Sequence, residues 1–271
     1  MFNKKSLLKK NWNIKKCNER LVLSYSQIRN LSPLLAKLLL IRNINDEFLD
    51  DFINPNIQHN LPNPFLLKDM EKSVTRVALA IKNNENIGII ADYDVDGSTS
   101  AAILYKFLRF FNKNIYLQVP NRLSEGYGPN IRIMNSMLEK NITLMFTLDC
   151  GTSATGIIDK KIFNSIDVIV IDHHVSEFIL PNVFSIINPN RFDEDSKFNQ
   201  MAAVGVTFLF LMALRKKLRE DSFFNKSNSE PNLLSFLDLV ALGTICDVVS
   251  LTNYNRTFVK IGLELIKKRK N

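Results

Sequence analysis

Three short apolar runs in the middle of this chain each stop abruptly on acids or histidines, and that repeated ending constrains the fold more than any other feature. IGIIA (87–91) runs into Asp92-Tyr93-Asp94-Val95-Asp96-Gly97, TLMFTL (143–148) into Asp149-Cys150-Gly151, and DVIVI (167–171) into Asp172-His173-His174. IYLQV (115–119) is a fourth apolar run of the same length class. Short apolar runs bounded by polar clusters read as buried strands, and the longer amphipathic stretches between them, 98–112, 130–140 and 153–164, read as helices. Strand–helix alternation predicts an α/β fold, a parallel sheet with helices on both faces. Ligands of such sheets bind beyond the carboxyl ends of the strands. Here three of those ends carry acids.

The flanks have a different texture. Residues 1–85 read as an N-terminal helical and loop-rich segment: Ser32-Pro33 opens the apolar run LLAKLLLI, 53–65 is a Pro- and Asn-dense loop, and Met70, Val74, Val77 and Ile81 recur at helical spacing. Residues 86–271 form the second domain, which turns helical again at 201–219, 232–246 and 254–268.

Residues two apart in an extended segment share a face, so Asp92, Asp94 and Asp96 are expected to converge, with Gly97 permitting the turn that follows. Two carboxylates 4 Å apart repel by about 4 kcal/mol at an effective dielectric near 20. Such a cluster persists only if some acids are protonated or cations neutralise them. A carboxylate and imidazole shell without thiolates suits Mn²⁺, Mg²⁺ or Zn²⁺ and argues against a structural zinc site. Acids around two cations are the usual apparatus of phosphoryl hydrolysis. A lone DxD is most often a solvated turn and a lone histidine a core or surface residue, but only three histidines exist and two are adjacent at a strand end.

The net charge of +8 fits a polyanionic partner such as nucleic acid, or scattered solubilising lysines. Three cysteines without a CxxC spacing make no disulfide framework. The N-terminus lacks a secretory apolar stretch, and the longest apolar run, Met201 to Leu214, is shorter than the ~18 residues a membrane span needs, so a cytoplasmic location is expected.

Taken in order, ADYDVDGSTSAAIL, FTLDCGTSA and VIVIDHH resemble the motif set of the DHH phosphoesterase superfamily. VPNRLSEGYGPN (119–130), IINPNR (186–191), AAVGVTFLFLMAL (202–214) and LLSFLDLVALGTICDVVSLTNYNR (233–256) are similar to its RecJ-type branch of single-strand-specific DNA exonucleases. The resemblance implies a metal-dependent 5′→3′ exonuclease with single-stranded DNA as partner and two divalent cations, Mn²⁺ or Mg²⁺, as cofactors. It implies metal ligation by Asp92, Asp94, Asp96, Asp149, His173 and Asp247, with Asp149 bridging the cations as a catalytic residue. His174 would be catalytic and sit by the scissile phosphate, Arg122 would bind substrate phosphate, and Asp172 would orient His173.

Several residues keep two readings. Arg122 is otherwise a surface salt-bridge partner, Gly126, Gly128 and Asn188-Pro189-Asn190 are otherwise plain turns, and Arg256 binds DNA or pairs with Asp247. Cys150 reads as a small buried thiol, and Phe107, Phe110 and Phe111 as core before stacking platforms. Two positions depart from the branch: Thr155 where a histidine is common, and Ala202-Ala203 where a Gly-rich turn opens the long apolar helix. The branch also carries a clamp domain and an oligonucleotide-binding domain that this chain, ending at KKRKN, lacks, so it is expected to act slowly and distributively. The rival readings are a DHH enzyme acting on short oligonucleotides or cyclic dinucleotides, and a nucleic-acid-binding remnant with little activity.

Overall fold

The computed structural model describes residues 6–269 apart from 12, 45, 47–48, 58–60, 112–113, 160–163 and 227. Its contacts separate two compact units, Met1–Pro55 and Asn56–Asn271. The break falls earlier in the chain than residue 85, because the Met70–Lys82 helix packs into the core of the second unit.

The first unit contains helices α1 (Glu19–Ile28), α2 (Pro33–Ile41) and the short α3 (Leu49–Ile53). Asn18 and Ser32 cap α1 and α2 by accepting backbone N–H bonds, and Pro33 occupies the first turn of α2 as its fixed φ favours.

The second unit is built on a five-stranded sheet, β1 (Ile87–Ala91), β2 (Ile115–Gln118), β3 (Leu144–Leu148), β4 (Asp167–Ile171) and β5 (Ser185–Ile187), in the order β2-β1-β3-β4-β5. Every pairing is parallel. Alternate residues of each strand enter different cores, as a period of two requires. Ile87, Ile89, Ala91, Leu144, Phe146, Leu148, Ile169 and Ile171 join the core that holds α4 (Met70–Lys82), α5 (Val95–Arg109) and α7 (Ala203–Glu220). Ile90, Met145, Val168, Val170 and Ile186 join α6 (Ile131–Glu139) in a second core. The fold is therefore the expected α/β arrangement with helices on both faces. Helices α8 (Leu237–Cys246) and α9 (Asn253–Lys267) pack against each other, and α8 also against α5.

Most elements fall where the apolar periodicity puts them. β5 was not legible as a strand: three residues are too few for a periodic signal. The helix expected at 153–164 is not formed over its described part, where 153–159 make turns; residues 160–163 lie outside the described residues. Phe107 is core and Phe111 packs edge-to-face on it at 5.5 Å, but Phe110 is exposed. No helix among the described residues is long and apolar enough to cross a membrane.

The amino-terminal end of the sheet is tied by one arginine. Arg76 of α4 donates from Nε to Asp167 at the start of β4 (2.7 Å) and from both terminal nitrogens to Glu85 just before β1 (3.1 and 2.8 Å). Burial pushes Glu85 up, but the bonds from Arg76 and Thr143 outweigh it and hold the carboxyl below its ordinary 4.5. Arg76→Ala is therefore expected to destabilise the protein by about 1–3 kcal/mol near neutral pH. A carboxylate depressed in the folded state stabilises above its unfolded pKa and loses that contribution as pH falls through the folded value. The Glu85 part of the Arg76→Ala deficit, followed by urea unfolding, should be full above pH 4.5 and fade below it.

Candidate metal centre

The sheet ladder itself delivers the acids. Asp92, Asp149 and Asp172 each follow the last residue of a strand, yet their backbone N–H groups still donate across the sheet, to Leu148, Ile171 and Ile187 respectively (3.1, 2.9 and 3.1 Å). Three carboxyl groups thus stand side by side on the adjacent strands β1, β3 and β4. All three are buried.

Asp94 and Asp96 arrive differently from expectation. Asp94 is still extended, but α5 begins at Val95, so the segment does not continue extended to Asp96. Asp94 is the N-cap of α5, accepting from Gly97 N at 2.9 Å, and Asp96 lies in its first turn. Gly97 is required there: a Cβ would meet the Asp92 carbonyl oxygen at 2.5 Å. The helical turn sends the acids apart. Asp92 and Asp94 gather with Asp149, whereas Asp96 gathers with His173 and Asp247, the C-cap residue of α8. A third group is Asp149 with His173 and His174, and within each group the potential donor atoms lie within 4.8 Å of one another. The six expected ligands are all brought together, with Asp149 and His173 each belonging to two groups.

His173 Nε2 sits 3.3 Å from Asp149 Oδ1 and 3.7 Å from both Asp96 Oδ2 and Asp247 Oδ2. Four buried atoms of these groups, Asp92 Oδ1, Asp149 Oδ1, His173 Nε2 and Asp247 Oδ2, have no hydrogen-bond partner among the described residues. Each such orphan costs about 1–3 kcal/mol, and more when charged. Burial, joined by the charges of Asp96, Asp94 and Asp172, pushes Asp149 up to about 10. Burial also pushes Asp96 up to about 6, against bonds from α7 and the charge of His173, and raises Asp92 and Asp247. Orphaned, charge-frustrated carboxylate and imidazole donors without thiolate are a donor set that suits divalent cations such as Mn²⁺, Mg²⁺ or Zn²⁺. The residues fit.

Asp96 has a second duty. Its oxygens accept from Ala203 N (2.6 Å) and Val204 N (2.8 Å), the first N–H groups of α7, whose own N-cap Ala202 offers no side-chain bond. The Ala202-Ala203 departure is thereby accommodated, since backbone, not side chain, meets the acid.

Asp172 differs from its neighbours. It orients His174, not His173 as expected: Oδ1 accepts both backbone N–H groups of the His pair and lies 2.8 Å from His174 Nδ1, and Oδ2 accepts from Thr152 N. Burial pushes it up, but the bonds from His174 and Thr152 prevail and keep it below the usual range. Tyr127, missed in the sequence, completes this network. Its hydroxyl donates to the Asp149 carbonyl at 2.5 Å and lies 3.2 Å from His174 Nδ1. With that proton committed, both Tyr127 and Asp172 face Nδ1 as acceptors, so Nδ1 carries the hydrogen and Nε2 is left for the cleft. The bond also secures Asp149, whose left-handed φ of 58° is strained for a non-glycine residue. Gly126 and Gly128, with φ of 79° and 78°, make the turn that swings Tyr127 in.

The NPN segment does more than turn. Asn188 Nδ2 donates to Thr152 Oγ1 and to the His174 carbonyl (both 2.9 Å), and Asn190 Nδ2 donates to the His173 carbonyl at 2.5 Å. Arg122 is exposed, makes no ion pair among the described residues and stacks over Tyr93 at 5.3 Å, beside Asp92 and Asp94. Cys150 is buried and burial drives its thiol upward, the inert reading. Thr155 is exposed in a turn and Arg256 is half-buried in the first turn of α9.

A family model described as the DHH family, N-terminal domain, matches residues 86–244. The chain belongs to the DHH family. Among curated relatives it is 38% identical over 207 residues to the single-stranded-DNA-specific exonuclease RecJ of Dickeya dadantii, covering 76% of this chain and 36% of the relative. It is 30% identical over 262 residues to the RecJ of Bacillus subtilis, covering 96% and 31%. RecJ from Thermus thermophilus in complex with Mn²⁺ superposes with a TM-score of 0.72 at 26% identity, over 93% of this chain and 34% of that one. The chain thus spans about a third of the length of these relatives.

The frustrated DHH cluster makes cation dependence measurable as stability. Mn²⁺ at about 100 times its Kd should add about 2.7 kcal/mol by mass action. Asp149→Asn should lose most of that rise in a thermal-shift titration, yet be at least as stable as the wild type in chelator, because it removes a buried, repelled carboxyl.

Proposed function

We propose that this chain hydrolyses phosphodiester bonds of single-stranded DNA from the 5′ end in the cytoplasm, with two divalent cations, Mn²⁺ or Mg²⁺, held by Asp92, Asp94, Asp96, Asp149, His173 and Asp247. The observation that carries the reading is the set of four orphaned buried donor atoms spread over three adjoining ligand groups at the sheet edge, groups that share Asp149 and His173. The names of the relatives, RecJ exonucleases specific for single-stranded DNA, and the Mn²⁺ of the structural neighbour support it.

Asp149, which stands in two of the three ligand groups, is the residue suited to bridge two cations. When bound, such a pair supplies an activated water and stabilises the charge on attacking and leaving oxygens. His174, half-exposed and held through Nδ1, directs Nε2 at the scissile phosphate. Asp172 and Tyr127 keep that ring from turning. Arg122 offers its planar fork to phosphate oxygens at the 5′ side, and its stacking on Tyr93 restricts the side chain before substrate arrives.

Strands blocked at one end test polarity directly. With Mn²⁺, a 3′-blocked single strand should be degraded and a 5′-blocked one spared; equal loss of both would refute a 5′ start. Arg122→Ala should weaken oligonucleotide binding roughly ten- to a hundredfold, the loss of charge-assisted phosphate bonds, while leaving the Mn²⁺ thermal shift intact.

A further inference from the structure

Two phenylalanines beside the histidine pair are not explained by the core. Phe178 is 86% exposed and Phe192 54%, and their rings pair with each other at 5.8 Å, inclined by 52°. Val175 and Ile179 beside Phe178 are also exposed. Water-exposed aromatic surface of this size is unfavourable unless something covers it.

Its position says what. Phe178 lies four residues beyond His174, within about 14 Å of chain, and Phe192 two residues beyond Asn190. The two loops are fastened to each other and to the metal centre: Phe192 N donates to Ser176 Oγ (2.9 Å), Ser176 N to the Asn190 carbonyl (3.3 Å), and Asn190 Nδ2 to the His173 carbonyl. The pair is thus continuous with the carboxyl edge of the sheet. Its charge surroundings do not favour phosphate as the contact. Glu177 precedes Phe178 and is exposed, while Lys68 and Arg191 on the Phe192 side are already paired with Asp193. Anionic oxygens would meet an acid on one side and engaged cations on the other. A neutral flat face is what remains welcome.

We propose that Phe178 and Phe192 form a stacking platform for unpaired nucleobases of the strand whose phosphate occupies the metal centre; the proposal rests on the phosphodiesterase reading above. Every base offers a π-face, so the platform is tolerant of sequence. In a duplex those faces are already stacked on one another. The platform therefore favours single strands over duplexes, a discrimination that the acid cluster, which meets only phosphate, does not supply.

The test is an anisotropy titration of labelled oligothymidylate with phosphorothioate linkages, in Mg²⁺, against the wild type, Phe178→Ala, Phe192→Ala and Phe178→Trp. Both side chains are exposed, so the variants are expected to fold, which their unchanged Mn²⁺ thermal shift verifies. Each alanine variant should bind roughly five- to 150-fold more weakly, the loss of one base stack, whereas Phe178→Trp retains affinity. An oligomer of abasic phosphates should bind all four proteins alike. Turnover of the abasic oligomer with Mn²⁺, a diester that offers no ring to stack, should be unchanged in the alanine variants. Wild-type affinity in both alanine variants, as when a protein partner covers the pair, would overturn the platform, as would equal losses on the abasic oligomer. A wild type that hydrolyses neither diester nor DNA with Mn²⁺ would overturn the phosphodiesterase reading instead, and the titration would still decide the platform.

Discussion

One carboxylate joins the helical layer to the chemistry of the sheet edge. Asp96 accepts the first two N–H groups of α7 and lies 3.7 Å from His173 Nε2. A helix N-terminus carries about half a positive charge, so it welcomes an anion and compensates part of the cost of burying one. α7 is buried along its amino-terminal half and packs against both α4 and α5. The same contact therefore caps the central helix, fixes its start against the first turn of α5, and holds one acid near His173 and Asp247. Where the helix sits and where the acid points are a single fact.

Around the acids runs a ring of neutral or fully paired groups. Asp172, Asn188, Asn190 and Tyr127 spend hydrogen bonds on the backbone and ring of the histidine pair and on the Asp149 carbonyl, and Thr152 ties Asp172 to Asn188. The inner atoms are left orphaned while the outer ones are satisfied. This division separates groups that hold geometry from groups that await charge. It also explains why Asp172, wholly buried, is pushed down while its neighbours are pushed up.

Four of the five strands and the acids and histidines at their ends were legible in the sequence, because a buried strand and a polar ending leave a local signature; Asp247, at the end of a helix, was reached only through the resemblance to the DHH family. What escaped is of two kinds: local turns that redirect neighbouring side chains, and contacts between segments distant in sequence. The partition of Asp92 and Asp94 from Asp96 follows from where α5 begins, which the i, i+2 rule of an extended segment misjudged. Asp172 looked like a partner for His173 because the two are adjacent; only the turn after β4 reveals that His174 receives the bond. Tyr127 announced itself merely as a residue between two glycines. The relative placement of Phe178 and Phe192 depends on two loops that meet in space alone.

The ladder bonds of Asp92, Asp149 and Asp172 make the sheet a ruler. Neighbouring strands stand about 4.8 Å apart, a spacing set by backbone hydrogen bonds and indifferent to side chains. The acids inherit that spacing, so sideways their separation is as stiff as the sheet. Compliance lies across the edge, where Asp247 is brought by α8 and Arg122 by a loop. A ligand of the wrong size would be refused laterally by the most rigid part of the molecule and admitted or not by its most movable parts. Heat should act on it accordingly: the centre is lost when the central strands part, and not by fraying before them.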